Sequence, residues 1–156
     1  KIIFVTALEQ YWPEGYTVNA YRYIIKPIDE RTFYQLVSDW LKEINQNKRS
    51  VLLKKGEGIE NVLIADIKYL AIEDRKVVVY TRAGRYDSRV PLSQWEEKLY
   101  THHFANSHTS YLVNLKFVKS IDKEHVTLID GEQVYVSQRK YKAFKNKLIA
   151  YIDTIS

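Results

Sequence analysis

The stretch Val77-Val-Val-Tyr-Thr-Arg-Ala-Gly-Arg-Tyr-Asp-Ser-Arg-Val90 contains two runs rich in β-branched and aromatic residues. The first run is Val77 to Thr81 and the second is Tyr86 to Val90, and residues of these types favour extended strands. Ala83-Gly84 lies between the runs, and glycine supplies the positive φ that a tight hairpin turn needs. The stretch therefore predicts an antiparallel β-hairpin.

The same sequence pattern of short strand-forming runs continues toward the carboxyl terminus. Phe117 to Ile121 and Val126 to Ile129 are further runs of this kind, and Asp130-Gly131 predicts a second hairpin turn. Ser93-Gln-Trp-Glu96 has the pattern of a helix capping box, and another helix is expected from Ser137 onward. One side of this last helix is apolar or aromatic, through Tyr141, Phe144, Leu148 and Tyr151. We therefore expect a mainly β domain of short antiparallel strands with a carboxyl-terminal helix that closes it.

The beginning of the chain has a different pattern, in which strands and helices alternate. Lys1-Ile-Ile-Phe-Val-Thr6 predicts a fully buried strand, and a helix from about Leu8 to Ala20 leads to a second strand, Tyr21 to Ile25. Lys26-Pro27 ends that strand, because proline cannot donate to a sheet ladder. Asp29 can cap a second helix, with one apolar face predicted to be buried, through Phe33, Leu36, Val37, Trp40, Leu41 and Ile44. This β-α-β-α order indicates an α/β unit with a parallel sheet.

The polar stretch Asn45-Gln-Asn-Lys-Arg-Ser50 separates the two patterns. It lacks apolar residues, and such stretches mark domain boundaries. We therefore predict an α/β fragment over residues 1–45, a linker over residues 46–50 and the mainly β domain over residues 51–156.

The formal net charge of +5 is concentrated in the second half of the chain. Residues 1–49 carry 7 Lys and Arg against 6 Asp and Glu, whereas residues 50–156 carry 17 against 13. Five bases fall close together in the last predicted helix: Arg139, Lys140, Lys142, Lys145 and Lys147. Such a cluster suits contact with phosphates, although a solvated helix face would have the same composition.

Several classes of function are disfavoured. The absence of cysteine removes disulfides and thiolate metal sites, and no apolar run approaches the roughly 20 residues that span a bilayer. His102, His103 and His108 lack the helical i, i+4 spacing of a zinc protease, and no serine lies in a strained nucleophile elbow. We therefore expect a cytoplasmic protein with no cofactor, no metal, no membrane partner and no enzymatic activity.

Thr6 and Lys26 are each expected at the carboxyl end of a parallel strand, where binding crevices form. A hydroxyl and an ammonium placed side by side suit phosphoryl oxygens. The segments that contain them resemble the last two strands of response-regulator receiver domains: Phe4-Val-Thr-Ala7, Ala20-Tyr-Arg-Tyr23 and Ile24-Ile-Lys-Pro27. This resemblance implies a switch threonine at Thr6, a switch aromatic at Tyr23 and a phosphate-contacting lysine at Lys26.

Other receiver residues, the acidic pair for Mg²⁺ and the aspartate that accepts the phosphoryl group, would precede Lys1. We therefore expect neither Mg²⁺ binding nor phosphoryl transfer from the α/β fragment itself. Part of a doubly wound sheet has an unpaired strand edge and an uncovered apolar face, so we expect a homodimer through this part. The resemblance also implies a sensor histidine kinase as the partner of the full-length protein.

Two later segments resemble the signature of the LytTR family. They are Phe104-Ala-Asn-Ser-His-Thr-Ser-Tyr-Leu-Val-Asn-Leu115 and Val134-Tyr-Val-Ser-Gln-Arg-Lys140, and they match family patterns of the types F-x-R-x-H-R-S-Y-L-V-N-L and I-P-V-S-R-R. The resemblance extends from about residue 51 to the end of the chain. It implies an elongated, mostly β fold that contacts successive major grooves of DNA through loops, without a recognition helix.

Matched residue by residue, the resemblance places DNA-contacting loops at three positions. These loops are Asp74-Arg75-Lys76, His108-Thr109 and Gln138-Arg139-Lys140, and Lys142 of the basic cluster follows the third. Arg139 is the strongest candidate for reading a base, because a guanidinium can make a bidentate contact to guanine that contributes roughly 1–3 kcal/mol of discrimination. Arg75 and Lys76 could contact bases or phosphates.

The second loop departs from the family pattern. The family often carries arginine where this chain has Ser107 or Asn106, and again where it has Thr109. Fewer cations would then reach DNA at this loop, while Thr109 could still contact a thymine methyl or a phosphate. We interpret His108 chiefly as a side chain that supports the loop by a hydrogen bond, with direct contact to DNA as the alternative.

These features together predict sequence-specific binding of double-stranded DNA, which would regulate transcription as the output of a two-component phosphorelay. The alternative is a basic protein-interaction module that binds an acidic partner protein and has only nonspecific affinity for DNA.

Overall fold

The structure, a computed structural model, describes residues 3–7 and 22–155. The chain divides into two units, Lys1–Asn45 and Gln46–Ser156. The helix expected from Leu8 to Ala20 lies outside the described residues.

The first unit contains a parallel pair of strands and a long helix. Strands β1 (Ile3–Thr6) and β2 (Arg22–Ile25) pair in parallel, with Ile3 opposite Arg22 and Thr6 opposite Ile25. The Lys26-Pro27 peptide bond that follows β2 is cis. Helix α1 (Glu30–Asn47) begins after Asp29, whose Oδ2 accepts hydrogen bonds from the Thr32 amide at 2.9 Å and the Thr32 hydroxyl at 2.8 Å. The predicted cap is therefore confirmed.

The predicted burial of this unit is wrong in two places. Val5 in β1 is 42% exposed, so β1 is not a fully buried strand. On the apolar face of α1, Phe33 is 39% exposed and Leu41 is 52% exposed. The physical reason is that the described part of this unit offers one strand pair and one helix, which leave much of each apolar face without a neighbour.

The second unit is mainly β, as predicted, and ends in a long helix. Its two helices are α2 (Leu92–Leu99) and α3 (Gln138–Ile155). Its ten strands are β3 (Ser50–Lys55), β4 (Gly58–Leu63), β5 (Ile67–Glu73), β6 (Lys76–Thr81), β7 (Gly84–Ser88), β8 (Phe104–His108), β9 (Tyr111–Asn114), β10 (Val118–Ile121), β11 (His125–Leu128) and β12 (Gln133–Tyr135).

All strand pairs of this unit are antiparallel and form two sheets. The larger sheet has seven strands in the order β4-β3-β7-β6-β5-β9-β8, and the smaller has the order β10-β11-β12. The predicted hairpins are present at β6–β7 and at β11–β12, where Gly84 and Gly131 have positive φ.

The larger sheet carries apolar residues into two separate cores. One core contains residues of α2, among them Trp95 and Leu99, and the other contains Phe144 of α3. Consecutive residues of β9 divide between them, since Leu112 belongs to the first core and Val113 to the second. Tyr141, Leu148 and Tyr151 pack against the second core, so α3 closes the domain on the side that the sequence predicted.

Lys68, whose side chain is nearly buried, joins the two sheets through ion pairs with two more exposed carboxylates. Its ammonium on β5 lies 2.8 Å from a carboxylate oxygen of Asp130 and 2.6 Å from one of Glu132, both next to the β11–β12 turn. Burial alone would lower the pKa of Lys68, but the hydrogen bonds to Asp130 and Glu132 raise it above its ordinary value. The lysine therefore stays charged in this position.

Some local predictions are wrong. The Ser93–Glu96 capping box does not form, since α2 begins at Leu92 with Pro91 as its cap residue and has no side-chain cap. Glu96 instead accepts a 2.7 Å hydrogen bond from the Asn106 side chain, a partner that local sequence cannot reveal. Strand β7 ends at Ser88 instead of Val90, and Phe117 lies in a 3₁₀ turn that precedes β10.

Asn114 offers a test of how the 3₁₀ turn is fixed to the sheet. Its buried side chain donates to the Ile67 carbonyl at 2.8 Å and accepts from the Lys116 amide at 3.1 Å. We expect Asn114→Ala to lower the free energy of unfolding by about 2–3 kcal/mol, because the buried Ile67 carbonyl loses its donor and the Lys116 amide loses its acceptor. Urea denaturation measures the change, and exposed Asn61 on β4 provides the control variant Asn61→Ala. Equal effects of the two substitutions would contradict this role for Asn114.

Candidate nucleic-acid interface

The first predicted loop is the tight turn between β5 and β6. Asp74 and Arg75 both have positive φ, 46° and 64°, although neither is glycine. These values are typical of a two-residue hairpin turn whose twist matches that of the flanking strands. Arg75 and Lys76 are both exposed at this turn.

The second loop lies at the same edge of the sheet. Strand β9 is antiparallel to β5, with Tyr111 opposite Ala71, so the β8–β9 turn lies beside the end of β5. The Ile72 amide donates a 2.9 Å hydrogen bond to the Ser110 carbonyl, which joins this turn to β5.

The third loop is fixed to the second through Ser107. The Ser107 carbonyl accepts a 2.9 Å hydrogen bond from the Ser137 amide, and the fully buried Ser107 hydroxyl donates to the Tyr135 carbonyl at 2.9 Å. The Ser137 carbonyl then accepts from the Lys140 and Tyr141 amides, which starts α3 at this point. The first turn of α3 is thereby held beside the β8–β9 turn.

Three segments that are distant in sequence therefore meet, and we call residues 74–76, 107–110 and 137–142 the three-loop edge. It carries five bases, Arg75, Lys76, Arg139, Lys140 and Lys142, and one acid, Asp74. Of the predicted contact residues, six are exposed, while His108 and Lys140 are half-buried: the exposed ones are Arg75, Lys76, Thr109, Gln138, Arg139 and Lys142. The amino end of α3 adds the partial positive charge of a helix dipole, which favours anions.

His108 has the hydrogen bond expected of a side chain that supports its loop. Its Nδ1 atom accepts from the Ser110 amide at 3.1 Å and lies 3.5 Å from the Thr109 hydroxyl. The ring also meets the Tyr135 ring edge to face, with centroids 5.4 Å apart. These contacts hold the imidazole against the turn.

Tyr135 lies next to this edge, against His108, and the sequence did not single it out. Its ring lies between His108 and His125, with a centroid distance of 6.5 Å to His125, and the residue is 48% exposed. The signal that could have identified it was its departure from the I-P-V-S-R-R pattern, which has proline at this position.

The positions at which the second loop differs from the family pattern are not equally exposed. Ser107 is fully buried and bonded to the backbone, so this position does not face solvent. Asn106 is half-buried and donates to Glu96, whereas Thr109 is exposed at the tip of the turn. Of the positions considered for a missing family arginine, Thr109 is therefore the one open to a ligand.

Other predicted residues lie away from this edge. Lys145 and Lys147 are exposed farther along α3. Thr6 ends β1 and Tyr23 lies in β2, both in the first unit, and Lys26 is exposed after β2. Because Thr6 is opposite Ile25, Thr6 and Lys26 lie at the same end of the parallel pair.

Two kinds of feature are absent from residues 3–7 and 22–155. No group of three or more His, Asp or Glu side chains is placed to hold a metal ion in this part of the chain. Among the helices described there, none has the length and apolar character needed to cross a membrane.

We expect the buried Ser107 side chain to hold the second and third loops together. We expect Ser107→Ala to lower the free energy of unfolding by about 1–2 kcal/mol, because the Tyr135 carbonyl loses a buried donor. Hydrogen exchange at the Ser137 amide should also become faster, which mass spectrometry or NMR would measure. Ser120→Ala, at an exposed position on β10, is the matched control. Unchanged exchange at Ser137 in the Ser107 variant would mean that the loops are held by other contacts.

Several known proteins are similar to this chain. The model of the LytTr DNA-binding domain family matches residues 57–149. The chain is similar to the sensory transduction protein LytT of Enterococcus faecalis, with 29% identity over 94% of this chain and 67% of that protein, and to LytT of Bacillus subtilis, with 31% identity over the same shares. The transcriptional regulatory protein YpdB of Escherichia coli (K12) is 27% identical over 78% of this chain and 55% of its own length.

A solved structure has the same fold. The LytTr DNA-binding domain of a Bacillus cereus response regulator is 28% identical and aligns with a TM-score of 0.59 over 65% of this chain and 97% of its own. The family match falls within the unit that carries the three-loop edge, whereas the LytT relatives align with 94% of the chain. The chain belongs to the LytTr DNA-binding domain family.

Proposed function

We propose that this chain binds double-stranded DNA in a sequence-specific manner through the three-loop edge and thereby regulates transcription. The observation that carries the proposal is the convergence of five bases from two distant segments, joined through the β8–β9 turn by the Ile72–Ser110 and Ser107–Ser137 hydrogen bonds. A ligand with regularly spaced phosphates and readable base edges suits such a surface.

The residues of this edge divide into two roles. Arg139, exposed in the first turn of α3, reads a base, and Gln138 beside it has an amide suited to the same task. Lys140 and Lys142, which lie on the same protein helix as Arg139, contact DNA phosphates. In the first loop, Arg75 and Lys76 contact bases or phosphates.

The β8–β9 turn lies between these basic loops. Thr109 contacts the DNA backbone or a thymine methyl. His108 acts chiefly by supporting the turn, and a direct contact with DNA is the alternative role. A loop held by hydrogen bonds loses less conformational freedom on binding, so its contribution to affinity is larger.

The first unit supports the wider part of the proposal, a role as the output of a two-component phosphorelay. Residues 1–45 form part of a receiver domain, residues 46–50 the linker and residues 51–156 the DNA-binding domain. The parallel β1–β2 pair, with Thr6 and Lys26 at one end, is the observation that favours this assignment. A cytoplasmic homodimer that forms through the receiver part, with a sensor histidine kinase acting on the full-length protein, completes the proposal.

The test begins with selection of genomic fragments by the chain, followed by fluorescence anisotropy on the enriched duplex and on a scrambled one over a salt series. We expect the enriched duplex to keep its preference as total affinity falls with salt. Arg139→Ala should weaken binding to the enriched duplex roughly 5- to 150-fold, the equivalent of 1–3 kcal/mol, and reduce the preference over the scrambled duplex.

Lys147→Ala is the matched control, because Lys147 is an exposed base on the same helix outside the three-loop edge. This substitution should weaken binding to both duplexes slightly and equally, and leave the preference for the enriched duplex unchanged. Equal binding of both duplexes by the unaltered chain would contradict sequence-specific recognition and favour a protein-interaction module with nonspecific affinity for DNA.

A further inference from the structure

A groove of about 940 Å³ lies beside α2 and the β3–β4 hairpin. Four of its lining residues are large, apolar and exposed: Leu52, Ile59, Ile72 and Val90. Leu52 is 71% exposed and Ile59 is 68% exposed. Both lie on one face of the hairpin, because Ile59 pairs with Lys54, which is two residues from Leu52. Such clustering of exposed apolar residues marks an interaction surface.

The charged residues that line the groove are mostly basic. Five bases line it, Lys54, Arg75, Lys76, Arg89 and Lys98, against a single acid, Asp87. The Lys98 ammonium lies 5.3 Å from the centroid of the Trp95 ring, so a base and an aromatic ring are in contact at its α2 side. The groove therefore combines an apolar lining with an excess of positive charge.

We propose that this groove binds an acidic amphipathic segment of a partner protein. The apolar lining requires a ligand with apolar side chains, and the basic residues require carboxylates beside them. A nucleic-acid backbone would satisfy the charges but would leave Leu52 and Ile59 without apolar partners, so a protein segment fits both features better.

The groove and the three-loop edge share two residues, Arg75 and Lys76. An acidic segment that pairs with them removes two bases from the edge. The groove ligand and DNA therefore compete for the chain. This consequence rests on the proposed function, whereas binding of the segment itself does not.

The probe for the groove is a fluorescent synthetic peptide of about 12 residues, with leucines at i, i+3, i+4 and i+7 and glutamates elsewhere. The whole chain should bind it more tightly than a peptide with the same residues scrambled, and more tightly than one with lysines in place of the glutamates. Leu52→Ser, Ile59→Ser and Arg89→Glu should each weaken peptide binding roughly tenfold. All three positions are exposed, and circular dichroism would verify that the variants fold.

Matched controls are Ile155→Ser, an exposed isoleucine at the end of α3, and Lys119→Glu, an exposed base on β10. Neither should change the affinity for the peptide. A peptide that does not bind, or whose binding is unaffected by the three groove variants, would overturn the proposal. The proposal would also be overturned if Leu52→Ser weakened duplex binding and left peptide binding unchanged, since the groove would then be a nucleic-acid surface.

Two further measurements test whether a second copy of the chain occupies the groove and whether the groove ligand competes with DNA. Self-association of the chain that Leu52→Ser abolishes would make the groove a contact between copies and would overturn the proposal. In the competition experiment, unlabelled duplex should displace the bound peptide. A peptide that binds through the groove but is not displaced would overturn the competition alone, and a chain that binds peptide but no duplex would count against the proposed function alone.

Discussion

The rest of the DNA-binding unit depends on the position of strand β9 between two cores. Leu112 points into the core that contains Trp95, and Val113 into the core that contains Phe144. Because successive side chains of a strand point to opposite faces, a shift of one residue would exchange the two sets, and register is therefore strongly fixed. The fixed register places Tyr111 opposite Ala71, and so places the β8–β9 turn beside the β5–β6 turn.

The three-loop edge is thus a product of the fold and not of any one element. Fixed register brings the first two loops together, and the buried Ser107 then holds the third through the Tyr135 carbonyl and the Ser137 amide. Four of its five bases are exposed to water, which stabilises their charges, and salt screens them; Lys140 is half-buried. Lys68 makes the opposite use of charge, since its burial costs free energy that two carboxylates offset.

Local sequence predicted those features that depend on local chemistry. Gly84 and Gly131 identified two hairpins because their positive φ excludes most other residues, and the spacing of Tyr141 and Phe144 identified the buried side of α3. The β5–β6 turn gave no such signal, because Asp74 and Arg75 adopt positive φ without glycine. The capping box did not form because α2 begins at Leu92, before Ser93, and Glu96 is bonded to Asn106 of β8. Convergence of the loops was implied by the family resemblance alone, since strand order leaves no local pattern.

The sharing of Arg75 and Lys76 between the edge and the groove determines how the two surfaces can affect one another. Each base that neutralises a phosphate contributes about 0.9 to the slope of log affinity against log salt. An acidic ligand that pairs with both bases would therefore lower DNA affinity even if it left Arg139 and the β8–β9 turn free. The coupling is electrostatic and needs no change of shape, so it can operate in a domain whose register is as strongly fixed as this one.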